Sequence, residues 1–185
     1  KCIRTGDLFF PEYLEHRLKN VLAYKNLMIE NVYGAEESAF EDMMDYLNTY
    51  GGEFKDYICD TGVFLREAAE RGDRIMFEAQ LGALRDIDFG IYPYTSSSST
   101  IAAYAPIGAG IPGIKLDSTV GIMKAYSSRV GEGPFTVEMD GDEAEALRKA
   151  GGEYGAATGR PRRVGAFDAV ASRYGIRCQG ADKIA

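Results

Sequence analysis

The sequence changes character near residue 74. Before this point, apolar residues recur at helical spacing. From Gly82 to Gly113, the chain is instead rich in Gly, Pro, Ser and Tyr. This composition is too irregular for regular helix and indicates ordered loops around a site. We therefore expect a mainly helical part over residues 1–73, followed by a part with the sheet and the binding loops over residues 74–185.

Three helices are predicted in the first part. Pro11 suits the first turn of a helix, where its missing N–H costs nothing, and an amphipathic stripe follows it, so residues 11–28 are predicted to be helical. A second helix is expected over residues 38–51, where a Gly-Gly pair favours a helix end. A third is expected over residues 56–71.

The second part alternates predicted strands and helices. Short apolar runs predict strands at Arg74–Glu78 and Val120–Ser127, and periodic segments predict helices at Glu143–Ala150 and Phe167–Tyr174. This alternation indicates an α/β layered fold. Because no internal repeat or linker divides the 185 residues, we expect a single domain.

Composition restricts the class of partner. The chain is 45% hydrophobic and 26% charged, which is typical of a globular protein rather than a disordered one. Its net charge of -7 opposes general binding to nucleic acids and to anionic membranes. An anionic ligand would therefore need a local cluster of basic side chains.

Cysteine usage and the ends of the chain complete this picture. Three cysteines at unrelated spacings and a single histidine indicate neither a disulfide framework nor a zinc site, so a reducing cytoplasm is expected. No signal segment opens the sequence, and no apolar run is long enough to span a bilayer. The absence of an initial Met and the abrupt C-terminus lead us to expect a portion of a longer protein.

A cluster of arginines follows a glycine-rich turn. Between Thr158 and Arg163, three guanidiniums occur in four residues, beside Gly155 and Gly159. Arginine binds carboxylate and phosphate through a planar two-point fork, so this cluster predicts an anion site. The alternative interpretation is a solvated run of charges.

Other patterns are weaker. Ser96–Thr100 either caps a short helix that binds phosphate or forms a plain serine-rich loop. Gly108–Gly113 has the letters of a dinucleotide-binding motif, but no amphipathic helix follows, and a loop is predicted. Asp86 and Asp88 are expected to stabilise a turn rather than to bind Mg²⁺, and His16 is expected on a helix surface.

Longer motifs carry a more specific signal, in the segments Phe77–Glu78, Asp86–Tyr94, Lys124–Phe135 and Gly155–Arg163. Taken together and in this order, they resemble the adenylosuccinate synthetase family. The resemblance extends from Arg4–Leu8 to the last predicted helix. It implies the central portion of a P-loop-like α/β fold. It also implies a cytoplasmic, homodimeric ligase of AMP biosynthesis, in which GTP phosphorylates the 6-oxygen of IMP and the amine of L-aspartate displaces the phosphate.

The resemblance also implies roles for particular residues, and Mg²⁺ as a cofactor with ligands outside this chain. It assigns no catalytic residue and no metal ligand to these 185 residues. The residues that it assigns to substrates are Gln80, Ser96, Val130 and Arg160 for IMP, Thr158 and Arg160 for aspartate, and Arg162 for GTP.

Two positions depart from the family pattern. The glutamine that contacts the IMP base in the family is displaced by one residue to Gln80, and Leu81 occupies its aligned position. A shift of one residue turns a side chain to the other face of a strand, so contact between Gln80 and the base requires a rearranged loop. Ala157 replaces a residue that commonly carries a hydroxyl in the aspartate loop, which removes a hydrogen bond worth about 1 kcal/mol.

Motifs that the family uses elsewhere are absent from this sequence. They are the phosphate-binding loop with its general base, the histidine that acts as general acid, and the segment that reads guanine. We therefore expect an internal fragment that is inactive alone. Two alternatives stay open: a non-catalytic module that binds anions or dimerises, and a related synthetase that uses a deoxyguanylate-type nucleotide.

Overall fold

Six helices and four short strands form within residues 2–185, the part of the chain that the computed structural model describes. The helices are α1 Pro11–Tyr33, α2 Phe40–Phe54, α3 Thr61–Glu70, α4 Ala105–Gly108, α5 Gly141–Gly151 and α6 Ala169–Gln179. The strands are β1 Val120–Gly121, β2 Ser127–Arg129, β3 Arg163–Gly165 and β4 Lys183–Ile184. These elements form two compact units, Lys1–Asp60 and Thr61–Ala185. The expected single domain, with its change of character near residue 74, stays a prediction.

The first unit is built on α1 and α2. Leu14 and Leu18 lie one turn apart on α1 and are its buried residues, which confirms the amphipathic stripe. The predicted helix is confirmed but is longer than expected, since it ends only where Gly34 adopts a left-handed conformation with φ 60°. Helix α2 is likewise confirmed. It continues through Gly51, where a Cβ would lie 2.8 Å from Cδ2 of Leu8, so this glycine allows close packing instead of ending the helix.

The third predicted helix begins later than expected. Residues Lys55–Tyr57 form a separate 3-10 turn, and Ile58 is extended with φ -97° and ψ 125°. An extended residue interrupts the helical hydrogen bonds, so α3 starts at Thr61 rather than at residue 56.

The prediction of a strand at Arg74–Glu78 is wrong. Exposure alternates there as in a strand, with Ile75 and Phe77 half-buried and Met76 88% exposed. A strand also needs a paired neighbour. Residues 74–78 pair with no other segment within residues 2–185.

Two small sheets organise the second unit. Strand β1 pairs in parallel with β4, and β2 pairs antiparallel with β3. The strand predicted at Val120–Ser127 is therefore split, because its two ends pair with different segments. Val164 at the centre of β3 is 1% exposed, and α5 packs against this strand.

Helices α5 and α6 support the loops of this unit. Both were predicted, and α6 begins two residues later than expected because the Asp168 side chain caps it by accepting from the N–H groups of Val170 and Ala171. At the other end of α6, Gln179 accepts from the Ala102 N–H at 2.7 Å and donates to the Thr100 carbonyl at 2.9 Å. These hydrogen bonds hold in place the backbone that follows the serine run, Ser96–Thr100. Within residues 2–185, every helix is too short or too polar to span a bilayer.

Leu81 lies at a tight reversal. Its φ is 72°, and the Gly82 N–H donates to the Gln80 carbonyl at 2.9 Å, as in a γ-turn. The left-handed region disfavours a side chain with a Cβ by about 1–2 kcal/mol. The segment after Phe77 is thus strained at the position that departs from the family pattern.

Replacing Leu81 with glycine is expected to stabilise the second unit by about 1 kcal/mol, because glycine adopts this φ without steric cost. Half of the Leu81 side chain is exposed, so little packing is lost. Urea denaturation of the wild type and of Leu81→Gly measures the difference. Leu84→Gly in the same segment is the control. It should lower the stability of the second unit, because Leu84 has no positive φ that glycine could relieve. A loss of stability in Leu81→Gly would contradict the strained turn.

Candidate anion-binding site

A cleft of about 620 Å³ lies in the second unit between two backbone turns. One turn contains Arg129–Gly133, and the other runs from Gly155 to Arg163. Four of the six residues assigned to substrates line this cleft, namely Val130, Thr158, Arg160 and Arg162. The arginine run therefore borders a cavity.

Backbone hydrogen bonds hold the turn from Gly155 to Arg163, called the arginine loop below, in a hairpin shape. Tyr154 and Pro161 form an antiparallel bridge, and the Gly155 N–H donates to the Arg160 carbonyl at 2.9 Å. Inside the loop, the Gly159 N–H donates to the Gly155 carbonyl at 2.8 Å, and Gly159 has φ 63°. The glycines therefore let the loop close on itself.

The closed loop leaves the Arg160 side chain exposed at the cleft. Within residues 2–185, its guanidinium has no hydrogen bond or ion pair, and only its backbone atoms are bonded. An uncompensated guanidinium at a cavity is suited to a carboxylate or phosphate ligand.

Two other arginines shape the opposite turn. Arg129 donates to the carbonyls of Pro134 at 2.8 Å and Glu132 at 2.6 Å. Arg163 donates to those of Gly131 at 3.1 Å and Gly133 at 2.9 Å, and forms a two-point ion pair with Glu138. Carbonyl acceptors satisfy guanidinium N–H groups without neutralising their charge, so Arg129 keeps its positive charge in this turn.

The pKa values of this region reflect the nearness of its guanidiniums to one another. Burial, together with the nearby charges of Arg163 and Arg85, lowers the pKa of Arg129. By contrast, the hydrogen bond from Arg163 lowers the pKa of Glu138, and the same bond raises the pKa of Arg163. The Glu138 carboxylate thus lies near the guanidiniums of Arg163 and Arg129, whereas the Arg160 guanidinium has no carboxylate partner within residues 2–185 and stays available to an anion.

Ser96 is brought to the same turn through Arg85. The Ser96 N–H donates to the Arg85 carbonyl at 2.8 Å, and Nη1 of Arg85 lies 3.5 Å from the Val130 carbonyl. The hydroxyl of Ser96 makes a local turn with Ser98. Ser96–Thr100 therefore forms a loop, since Tyr104 rather than a serine precedes α4 and no side chain caps that helix.

Gln80 is not brought to the cleft. Its side chain is exposed, and the residue precedes the turn at Leu81 instead of lining the cavity. Its predicted contact with the base stays a prediction.

The expectations for Asp86 and His16 are confirmed, and the loop predicted at Gly108–Gly113 is confirmed from residue 109 onwards, since Gly108 is the last residue of α4. The buried carboxylate of Asp86 accepts from the N–H groups of Asp88, Phe89 and Thr100, which stabilises the turn before the serine run. Burial raises the pKa of Asp86, but these hydrogen bonds outweigh it and lower the pKa overall. No helix follows the glycines at 108–113, and His16 lies on the exposed face of α1 beside Asn20.

Sequence reasoning missed the carboxylate beneath the arginine loop. Glu153 is 1% exposed and accepts from Lys124 Nζ and the Tyr126 hydroxyl, each at 2.5 Å, and from Arg162 Nη1 at 3.0 Å. Burial raises its pKa, but these three hydrogen bonds outweigh the effect and lower the pKa from 4.5 to about 2. The only signal in the sequence is one acidic residue after the Gly-Gly pair that ends α5.

Acid should therefore weaken the second unit through Glu153. Because its folded pKa of about 2 lies below the ordinary 4.5, its stabilising contribution is complete above pH 4.5 and is lost as the pH falls towards 2. The full shift corresponds to about 3 kcal/mol, and partial exposure of Lys124 and Arg162 reduces this to about 2 kcal/mol.

Urea denaturation of the wild type and Glu153→Gln at several pH values measures this contribution. The wild type should be more stable at neutral pH, and the difference should shrink by about 2 kcal/mol as the pH approaches 2. A difference that is independent of pH would contradict an ionised, hydrogen-bonded Glu153.

No group of three or more His, Cys, Asp or Glu residues within residues 2–185 is arranged to hold a metal ion. Asp86, the buried carboxylate of the predicted turn, already accepts from backbone N–H groups.

Comparison with known proteins identifies the family of this chain. A model of the adenylosuccinate synthetase family matches residues 1–185. The adenylosuccinate synthetase of Limosilactobacillus fermentum is 43% identical over 178 residues, which cover 96% of this chain and 42% of that protein. The corresponding protein of Bacillus licheniformis is 42% identical, with 96% of this chain and 41% of that protein covered.

Two solved structures are also similar to this chain. The fully ligated adenylosuccinate synthetase of Plasmodium falciparum matches with a TM-score of 0.87 and 33% identity, over 98% of this chain and 42% of that one. The succinoaminodeoxyadenylate synthetase of cyanophage S-2L, bound to dGMP and dATP as an energy donor, matches with a TM-score of 0.54 and 25% identity. That match covers 66% of this chain and 38% of the phage chain.

The chain belongs to the adenylosuccinate synthetase family. It spans about 42% of the length of the curated relatives that it matches, and the predicted α/β class is confirmed.

Proposed function

We propose that the protein containing this chain is an adenylosuccinate synthetase, a GTP-dependent ligase that joins L-aspartate to IMP and releases GDP and phosphate. The observation that carries this proposal is the cleft that gathers Val130, Thr158, Arg160 and Arg162. All three substrates are anions, and the cleft is bordered by guanidiniums that outnumber their carboxylate partners. Family membership supports the same reaction.

The proposed division of the cleft follows its two turns. Val130 would meet the ribose of IMP through its backbone, with the Ser96 hydroxyl at the phosphate and Gln80 at the base. Thr158 and Arg160, on the opposite loop, would hold the carboxylates of aspartate, and Arg160 would reach IMP as well. Arg162 would lie at the GTP phosphates.

In this scheme the chain binds and orients the substrates. Phosphorylation of the 6-oxygen of IMP would create a leaving group, and the aspartate amine would displace it as inorganic phosphate. Fixed guanidiniums favour such a reaction by holding the reactants in position and by stabilising negative charge. The proton transfers and the Mg²⁺ ligands would come from other parts of the longer protein.

An omission assay on the full-length protein tests the proposal. Adenylosuccinate should form when GTP, IMP, aspartate and Mg²⁺ are all supplied, and its formation should stop when any substrate is omitted. The 185-residue chain alone should give no turnover. Turnover by this chain alone would contradict the proposed division of labour. Binding of IMP by the full-length protein without turnover would favour a non-catalytic anion-binding module.

A deoxyguanylate-type nucleotide is a second candidate substrate. It is favoured by Leu81 at the aligned position of the glutamine that contacts the base, and by the likeness to the cyanophage enzyme. Comparing kcat/KM for IMP and dGMP with the full-length protein decides between them. The first proposal requires IMP to be the better substrate.

Family membership also supports a proposal about the cellular setting and the assembly. We propose a cytoplasmic homodimer that acts in AMP biosynthesis. The free thiols of Cys2, Cys59 and Cys178 are compatible with a reducing compartment. Light scattering of the full-length protein at several concentrations would test the dimer.

A further inference from the structure

Glu153 joins the two backbone segments that border the cleft. It directly follows Gly152, which ends α5 in a left-handed conformation with φ 61°. Its N–H donates to the Arg148 carbonyl at 2.9 Å, and its carbonyl accepts from the Arg162 N–H at 2.9 Å. The backbone of Glu153 is thus fixed at the base of the arginine loop.

The carboxylate of Glu153 divides its oxygens between these segments. Oε2 accepts from Arg162 at the end of the arginine loop, whereas Oε1 accepts from Lys124 and Tyr126. Lys124 also donates to Ser128 Oγ at 2.8 Å, which extends the network into β2 and towards the turn at Val130. One buried group therefore connects both walls of the cleft.

Charge makes this connection difficult to replace. Lys124 and Arg162 are both cations, and the Glu153 carboxylate lies between them. Without the negative charge, the two cations repel each other, and an amide would direct its own N–H groups at one of the donors. Packing is also tight, since a Cβ on Gly151 would lie 2.5 Å from the Tyr126 hydroxyl and 3.2 Å from Cγ of Glu153.

We propose that Glu153 is a positioning residue of this site, which sets the orientation of Arg162 and the separation of the arginine loop from segment 124–130. Glu153 is buried beneath the loop and acts on bound anions through Arg162 rather than by direct contact. This inference rests on the proposed function for the identity of the anions. The geometry of the loop is inferred independently of the proposed function.

Kinetics of the full-length protein give the first test. Glu153→Gln should raise the KM for GTP by about 10–100-fold, and Glu153→Asp, which keeps the charge, should recover part of this loss. Glu15→Gln removes a carboxylate from an exposed ion pair with Lys19 and serves as the matched control, with a KM within about twofold of the wild type. In an Arg162→Ala background, Glu153→Gln should change the KM by less than about twofold, because the positioned group is already absent.

Hydrogen exchange of the same proteins gives a test that is independent of substrates. Glu153→Gln should increase amide exchange at Gly155 and Arg162, whose N–H groups are hydrogen-bonded in the loop, and Glu15→Gln should not. If exchange is unchanged and only the melting temperature falls, or if the effects of Glu153→Gln and Arg162→Ala on KM multiply, the positioning role is overturned. If exchange changes but the wild type shows no turnover, the proposed function fails while the positioning of the loop stands.

Discussion

Replacing Gly165 with alanine is expected to destabilise the second unit by about 3 kcal/mol, the upper end of the usual range for overpacking. Gly165 lies at the end of β3 and pairs on one side with Ser127 and on the other with Glu138. A Cβ there would lie 2.7 Å from the Val137 carbonyl carbon and 3.0 Å from Cα of Glu138. Both are backbone atoms, so no side chain can rotate to relieve the contact.

The same change should weaken ligand binding, because Arg163 lies on the displaced strand and Arg162 immediately precedes it. Urea denaturation measures the stability, and Gly113→Ala is the matched control, since no atom lies within 4 Å of a Cβ built on Gly113. The control should change the free energy of unfolding by less than about 0.5 kcal/mol. Equal stability of Gly165→Ala and Gly113→Ala would show that β3 does not approach residues 137–138 this closely.

The five longer helices could be predicted from the sequence because their signals are local. The four-residue helix α4 was missed, since it lies within residues 82–113, where loops were predicted. The apolar stripe of α1 and the Gly-Gly pair at the end of α5 act over neighbouring turns of a single segment. Errors arose where tertiary contacts override such signals. Gly51 is retained inside α2 because Leu8 packs against it, and residues 74–78 alternate in exposure without a paired neighbour.

The candidate site was predictable to the extent that its residues adjoin one another in sequence. Thr158, Arg160 and Arg162 belong to one loop, and their composition is compatible with an anion site as well as with a solvated run of charges. Glu153 was missed because a single acidic residue has no pattern, and its three donors come from positions that only the fold brings together. The turn at Leu81 was missed because leucine rarely adopts a positive φ.

In the full-length protein, Arg160→Ala is expected to lower kcat/KM by about 10³-fold, which corresponds to about 4 kcal/mol of lost transition-state stabilisation. Arg160 projects from a closed loop into the cleft, and no carboxylate within residues 2–185 forms an ion pair with its guanidinium. Its removal should therefore leave the fold intact while a bound carboxylate loses a two-point, charge-assisted interaction. The melting temperature should stay within about 2 °C of the wild type.

Arg160→Lys separates charge from geometry in the same assay. Lysine keeps the positive charge but lacks the planar fork. The kcat/KM of Arg160→Lys should therefore be about tenfold higher than that of Arg160→Ala and still well below that of the wild type. Arg173→Ala on α6 removes an exposed arginine away from the cleft and should leave kcat/KM within about twofold of the wild type. If Arg160→Ala and Arg173→Ala have equal kcat/KM, the arginine run is a solvated face, because a guanidinium that binds substrate cannot be removed without a kinetic effect.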